Sequence, residues 1–431
     1  MRIAGWMALM IIGCTMLNPE PGYAEESFRS GSTLPLDQCI AIALQRQPEI
    51  RAGLMDVEAS RARIGQARAG YLPQVQAQVL YDRYSPESDA AHSSKGEGSY
   101  HEYTSQMALS QNLYDFGKTS SQVRIQRLGT EAFRLDAENL KDEIVFDVKR
   151  AYFEALQARR NRDLAEEMVD RYQQHLDQAK GFFNVGAKPR FDVTKAEVDL
   201  GSAKLGLIRA ENALRIARVR LNNAMGYPQA PNFKLEDNLD YVKETIVFDE
   251  VLARAYQNRS DLLSVGNRRQ SFESSIDLAR TGYYPEVTGQ AYYRWIGEGF
   301  PVDDEWQVGV AVTFPLFTGL RTRHQVMEAE ANLEAAKARE QSLRQLIFLE
   351  VQQAYLNLQE AEEKIPLAEL TVRKGAENLD IADGRYRAEV GNLIEVTDAQ
   401  VAYSNARNDL NQALCDFHIA RAALQKAEGA R

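Results

Sequence analysis

Two periodicities alternate along this chain, and each occurs twice. From Val193, apolar positions recur at alternating spacings of three and four: Val193, Ala196, Leu200, Ala203, Leu207, Ala210, Leu214, Ala217, Leu221 and Ala224. A shift of 203 residues, as from Val193 to Val396, carries that ladder onto Val396, Ala399, Tyr403, Ala406, Leu410, Ala413, Phe417, Ala420, Leu424 and Ala427. Every small rung stays alanine. The same shift lays the seam from Ile144 to Phe183 over that from Ile347 to Tyr386, with only Arg162 interrupting it. A sustained 3.5-residue repeat means helices wound in a left-handed supercoil, and small alternate rungs let two backbones approach closely. The short breaks from Phe183 to Phe191 and from Tyr386 to Ile394 turn each pair antiparallel. The helical pattern is nearly unbroken from Lys118 to Phe183 and from Leu320 to Tyr386, about 100 Å each at 1.5 Å per residue. A compact globular domain has no use for such reach; a soluble coiled-coil spacer does.

Before each long helix the period changes to two. After a shorter helical stretch (Leu36 to Arg68, then Phe248 to Arg280) come "YLPQVQAQVLYDRY" from Tyr71 and "YYPEVTGQAYYRWI" from Tyr283. A polar loop follows, then a second alternating run, "YTSQMALSQNLY" from Tyr103 or "WQVGVAVTFPLF" from Trp306. Val75, Ala77, Val79 and Tyr81 share a face opposite Gln74, Gln76 and Gln78; Trp306, Val308, Val310 and Val312 oppose Gln307, Gly309, Ala311 and Thr313. Aromatic residues collect at both ends: Tyr71, Tyr114, Tyr283, Tyr284 and Phe317 near the helices, Tyr81, Tyr84, Tyr103, Trp295 and Trp306 near the loops. Two aromatic girdles about ten residues apart fit tilted strands that cross a membrane. Four strands cannot close a membrane barrel, which needs about eight, so several chains have to contribute.

Composition narrows the partners. With 61 acidic and 51 basic residues the formal charge is −10, and no basic block invites nucleic acid. Arg2, an apolar run from Ile3 to Leu17 and the small residues Gly22 and Ala24 read as an export signal covering residues 1–24. A second reading takes "IIGC", Ile11 to Cys14, as an imperfect lipidation site. No other stretch reaches the roughly 18–20 apolar residues of a membrane-spanning helix. Past the signal only Cys39 and Cys415 remain, expected as buried thiols although a disulfide is open to them. The histidines (His92, His101, His175, His324 and His418) are scattered, and neither a phosphate loop nor a nucleophile elbow occurs. No catalytic residue, metal site or cofactor is therefore expected.

Several of these points together resemble the TolC family of outer-membrane efflux proteins: "LPQV" and "YPEV" before the strands, "LYDFG" and "LFTG" after them, and "VTKAEV" and "VTDAQV" at two helix starts. The resemblance covers almost the whole mature chain. It implies a mainly α fold with a four-strand β contribution. Long antiparallel coiled-coil helices form a trimeric α-barrel tunnel, topped by a shared 12-stranded transmembrane β-barrel. The organisation expected is an N-terminal extension (25–35), a first repeat (36–226), a linker (227–247) and a second repeat (248–428), the repeats forming one unit. The implied function is a passive export duct in the Gram-negative outer membrane, extending into the periplasm. Its implied partners are copies of itself, outer-membrane lipid, a periplasmic adaptor (membrane fusion) protein and an inner-membrane transporter. The alternative is a periplasmic structural coiled coil that never enters a membrane. Val185, Gly186 and Ala187 in one hairpin tip, and Val390 and Gly391 in the other, would face the adaptor. Tyr71, Tyr81, Tyr103, Tyr114, Tyr283, Trp295, Trp306 and Phe317 would form the membrane girdle. Glu389 stands where the first tip has Gly186, and Gly391 is expected to take over the special backbone angle.

Glu395 and Asp398 lie three residues apart beside the seam of the second ladder, so they share a face. The resemblance places an acidic periplasmic gate there. The competing reading is helix electrostatics, since acids in a first turn favour the positive dipole end by about 0.3–1 kcal/mol each. In the first copy the same turn holds Asp192 and Lys195, read as charges that offset each other.

Overall fold

In the computed structural model, residues 31–85, 99–243, 245–299 and 301–430 are described. The expected export signal with Cys14, the start of the expected N-terminal extension, and most of the first polar loop, including His92, lie outside them. The chain order is β1 (Thr33–Leu34), α1 (Leu36–Arg46), α2 (Pro48–Arg68), β2 (Gln74–Tyr84), β3 (Tyr100–Tyr114), α3 (Lys118–Asn184) and α4 (Arg190–Ala224). The second half runs β4 (Lys234–Leu235), α5 (Phe248–Asn258), α6 (Ser260–Thr281), β5 (Glu286–Gly297), β6 (Asp303–Thr313), α7 (Arg321–Arg387) and α8 (Leu393–Ala427).

α3 and α7 have 67 residues each, as their unbroken ladders require. α4 folds back along the lower half of α3, and α8 along α7 and across to α3. Nearer the sheet, α2 and α6 take the places beside α3 that α4 and α8 hold below, and α6 also reaches α7. The helical layer therefore reads α2–α3–α6–α7 near the sheet and α4–α3–α8–α7 further away. α2 and α4 form one edge, α7 the other. Along α4 and α8 every ladder rung is buried or half-buried. α8 is the more enclosed because it lies between α7 and α3. No helix among the described residues is long and apolar enough to cross a membrane.

Two features depart from the periodicity. The shorter helical stretches are each broken once, at Gln47 and at Arg259, both with φ −62° and ψ 120°. In the first copy Pro48 drives the preceding residue out of helix. In the second, Arg259 is buried between Asp261 (2.7 Å) and Glu350 (2.5 Å), and these ion pairs hold the same corner. The second departure is a two-stranded parallel sheet of β1 and β4, which joins the N-terminal segment to the connection between the repeats. The Tyr152 hydroxyl donates to the carbonyls of Leu34 (3.3 Å) and Glu236 (2.9 Å), fastening that layer to α3. The largest core cluster lies beneath it, around Tyr152, Met225, Leu239 and Phe417. Cys39 and Cys415 are free and buried in this core, and burial pushes both thiols up to about 12. A second cluster, around Met168, Leu379, Tyr386 and Val396, fills the far end of the helices.

Candidate functional site

The four long strands form one antiparallel sheet in the order β2-β3-β5-β6. Its register brings the four alternating patterns into phase: Val75 opposes Leu109, Leu109 opposes Ala291, and Ala291 opposes Val308. One row further, Ala77, Met107, Tyr293 and Trp306 align in the same way. In these rows one face of the sheet is apolar from edge to edge, and the other face carries Gln74, Gln76, Gln78, Gln106, Gln290 and Gln307. A slip of one residue in any strand would break that face. Nothing among the described residues covers it. Trp306 is 71% exposed and Val308 72%, where a soluble half-buried hairpin would bury one side.

The structure brings some girdle residues together and leaves others apart. Tyr81 and Tyr103 are directly opposed with ring centroids 5.2 Å apart, and Trp295 lies 4.6 Å from Tyr293. At the helix end Tyr114 packs on Phe116 (4.6 Å), which stacks on Tyr284 (5.5 Å). Tyr71, Tyr283 and Phe317 are exposed at that end with no ring contact among the described residues. Sequence reasoning missed Phe116 and Tyr293. Phe116 has a left-handed φ of 50°, which no period reveals; Tyr293 was visible as an in-phase aromatic residue of β5.

At the opposite end, about 100 Å away along α3 and α7, lie the two hairpin tips. Gly186 is left-handed (φ 78°), and so is Glu389 (φ 62°). The expectation for Gly391 is corrected: Glu389 takes the strained angle itself, at roughly 1–2 kcal/mol for a residue with a Cβ. Gly391 serves a different need, because a Cβ there would sit 3.0 Å from Arg385 Cβ and 3.1 Å from the Arg385 carbonyl carbon. Its carbonyl accepts from Lys188 Nζ at 3.1 Å, tying one tip to the other. Val185 and Val390 stand out into solvent, 77% and 69% exposed.

Just above the tips, Glu395 and Asp398 are both exposed. The cap of α8 is Asn392, whose side chain accepts from the Glu395 amide at 2.9 Å. The Glu395 carboxylate is turned instead to Arg385, 3.2 Å away, while Arg387 pairs with Asp383. Asp398 has no ion pair among the described residues. In the first copy the expected offset is corrected. Lys195 pairs with Asp199 (2.5 Å), which also accepts from Thr397 of α8 at 3.2 Å. Asp192 is buried and accepts from the Tyr386 hydroxyl at 3.4 Å. Burial, reinforced by Asp192, pushes the Tyr386 phenol up to about 12. Acids three residues behind a lysine and four ahead of it are both its neighbours on the helix surface, so the spacing left this pairing open.

The family model described as "Outer membrane efflux protein" matches residues 39–227 and 251–430. Outer membrane protein TolC of Escherichia coli (strain K12) is 22% identical over 401 residues, covering 89% of this chain and 79% of that protein. Protein CyaE of Bordetella pertussis is 25% identical over 384 residues, covering 87% and 79%. The structure of the outer-membrane channel OprN shares the fold, with a TM-score of 0.81, 17% identity and 92% and 90% of the two chains covered.

Proposed function

The chain belongs to the outer membrane efflux protein family, and we propose that three copies of it close into one duct. It is an export channel of the outer membrane that extends into the periplasm. The observation that carries the closure is the uncovered apolar face of a sheet whose edge strands β2 and β6 have no partner among the described residues. In hydrocarbon each unpaired backbone group costs several kcal/mol, so such a sheet has to close. Four strands are half of the smallest barrel, about eight; three chains supply the 12 strands that the family resemblance implies.

The helical layer supports the same closure. Exposed leucine and valine stripes at whole-heptad spacing run along both of its edges: Val198, Leu205 and Val219 on α4, and Leu349, Leu356 and Leu370 on α7. These are seams without a partner among the described residues, and the α7 edge of one protomer meets the α2 and α4 edge of the next. Both repeats, 36–226 and 248–428, act in this as one unit bridged by 227–247. A soluble coiled-coil spacer leaves the apolar sheet face unexplained.

In the duct, the glutamine-rich face of the sheet lines the pore and the apolar face with its girdle meets lipid. Glu395 and Asp398 ring the periplasmic mouth. Asn392 already caps α8, which supports a gating role over a capping one. The Tyr386–Asp192 contact and the Lys188–Gly391 contact hold the two hairpins of a protomer together when the mouth is closed. The tips, with Val185, Gly186 and Ala187 and with Val390 and Gly391, meet a periplasmic adaptor, and an inner-membrane transporter supplies the energy. The duct itself performs no reaction. Mass measurement of the detergent-extracted protein tests the trimer: three chains in one stable particle are expected, and a stable monomer refutes the shared barrel.

A further inference from the structure

Immediately below the sheet, between the end of α2 and the first turns of α3, lies an open cleft of about 700 Å³ lined by Arg68, Tyr71, Leu72, Val123, Arg124 and Arg127. The three arginines are exposed and have no ion pair among the described residues, and no acid lines the cleft. Its upper rim is apolar: Leu72 is exposed, and Tyr71 belongs to the girdle. From the first residue of α3, Arg124 and Arg127 are about 9 and 14 Å down the helix at 1.5 Å per residue. A headgroup layer is about 5–8 Å deep, and arginine side chains tilted toward the helix N-terminus reach back up toward it.

The cleft opens on the outer side of the helical layer. Whole heptads separate Arg127 from Val148 and Arg124 from Tyr152, and in a supercoiled helix such residues share a face. Val148 and Tyr152 carry the layer of α1, β1 and β4, which a closed tunnel has to keep outside.

The second repeat makes the first informative. Its counterparts are Arg280, Tyr283, Tyr284, Val326, Met327 and Glu330, with Arg323 in the place of Ser120, which also lines the first cleft. There Met327 replaces Arg124, and Glu330 replaces Arg127 and pairs with Arg280 at 3.7 Å. Two arginines and an acid stand where the first repeat has three arginines and none. A general requirement for basic residues below the girdle would have kept both copies alike.

We propose that the α2–α3 cleft binds the phosphate of an anionic phospholipid of the inner leaflet, one per protomer. Guanidinium forks take the phosphate oxygens in charge-assisted pairs, and the acyl chains pass Leu72 and Tyr71 onto the apolar face of the sheet. This rests on the membrane placement of the sheet. Native mass spectrometry of delipidated, detergent-solubilised full-length protein, titrated with phosphatidylglycerol, tests it. Three lipids per trimer are expected at saturation. R124Q/R127Q should form the same trimer and bind roughly 30-fold more weakly, the scale of two basic contacts. M327R/E330R, which rebuilds the second cleft, should raise the number bound. Unchanged binding by R124Q/R127Q overturns the site. So does displacement of the lipid by inorganic phosphate at equal concentration, which marks a free-phosphate site. Dissociation of that variant into monomers also overturns it, by assigning the arginines to a protomer contact. A monomeric parent protein, seen before any lipid is added, refutes the shared barrel instead.

Discussion

Ala210 and Ala413 are the same rung of the two ladders, yet a leucine should act oppositely at the two sites. Ala413 is 5% exposed in the main core cluster, enclosed where α8 packs against α7 and α3. Added carbons there have no space, and overpacking a close helix pair costs about 1–3 kcal/mol. Ala210 is half-buried and lines a cavity of about 430 Å³ bounded by α3, α4 and α8, among Asn161, Ala165, Gly206 and Ser404. Three carbons buried there contribute up to about 2 kcal/mol at 0.8 kcal/mol each. Fixing the leucine rotamer removes about 0.5–1 kcal/mol of that. Ala210→Leu should thus be neutral or stabilise by up to about 1.5 kcal/mol, while Ala413→Leu destabilises. Thermal unfolding of both variants beside the parent protein, in one detergent, makes the comparison. Equal losses in the two would mean that the cavity is closed in the assembled protein, and the packing argument would fail.

Changing Glu395 and Asp398 together to alanine should weaken the cation preference of single channels in a planar bilayer and their block by multivalent cations from the periplasmic side; unchanged currents would leave these acids without a gating role. Tyr386→Phe removes the donor to buried Asp192, at about 1–3 kcal/mol, and should raise the frequency of open events; a parent-like closed state would show that this contact does not hold the mouth shut. On the sheet, Val308→Arg should cost about 2–4 kcal/mol in the membrane and abolish outer-membrane recovery, whereas Gln307→Arg on the other face should be recovered normally; equal recovery refutes the assignment of faces. Burial depresses His175 and His418, outweighing Asp383 beside the first and, for the second, adding to the repulsion of Arg421. Their neutral forms are therefore favoured by folding, so this stability is complete above the ordinary histidine value of about 6.5 and is lost as pH falls through the depressed values. Melting temperature should drop on acidification below that point, less steeply in His418→Asn; an identical slope would place the pH dependence elsewhere.

Periodicity alone determined a large part of this protein. Ladder rungs from Val193 to Ala224 and from Val396 to Ala427 are all buried or half-buried, and each alternating run is a strand with most of its apolar residues on one face. A side chain's direction repeats every 3.5 residues in a supercoiled helix and every two in a strand, so which residues share a face is local information. The duplication strengthened that reading by presenting each pattern twice. What the faces meet is not local. The corner at Arg259 depends on Glu350, Asp192 meets Tyr386 from the other repeat, and the pairing of β1 with β4 joins two-residue strands with no period at all. Left-handed Glu389 and Phe116 are likewise imposed by the surrounding packing, against their own preference. Partners about 200 residues apart are set by the register in which the whole helical layer closes. Only the tertiary structure therefore decided that Arg68 of the first repeat has no ion pair among the described residues while its counterpart Arg280 meets Glu330.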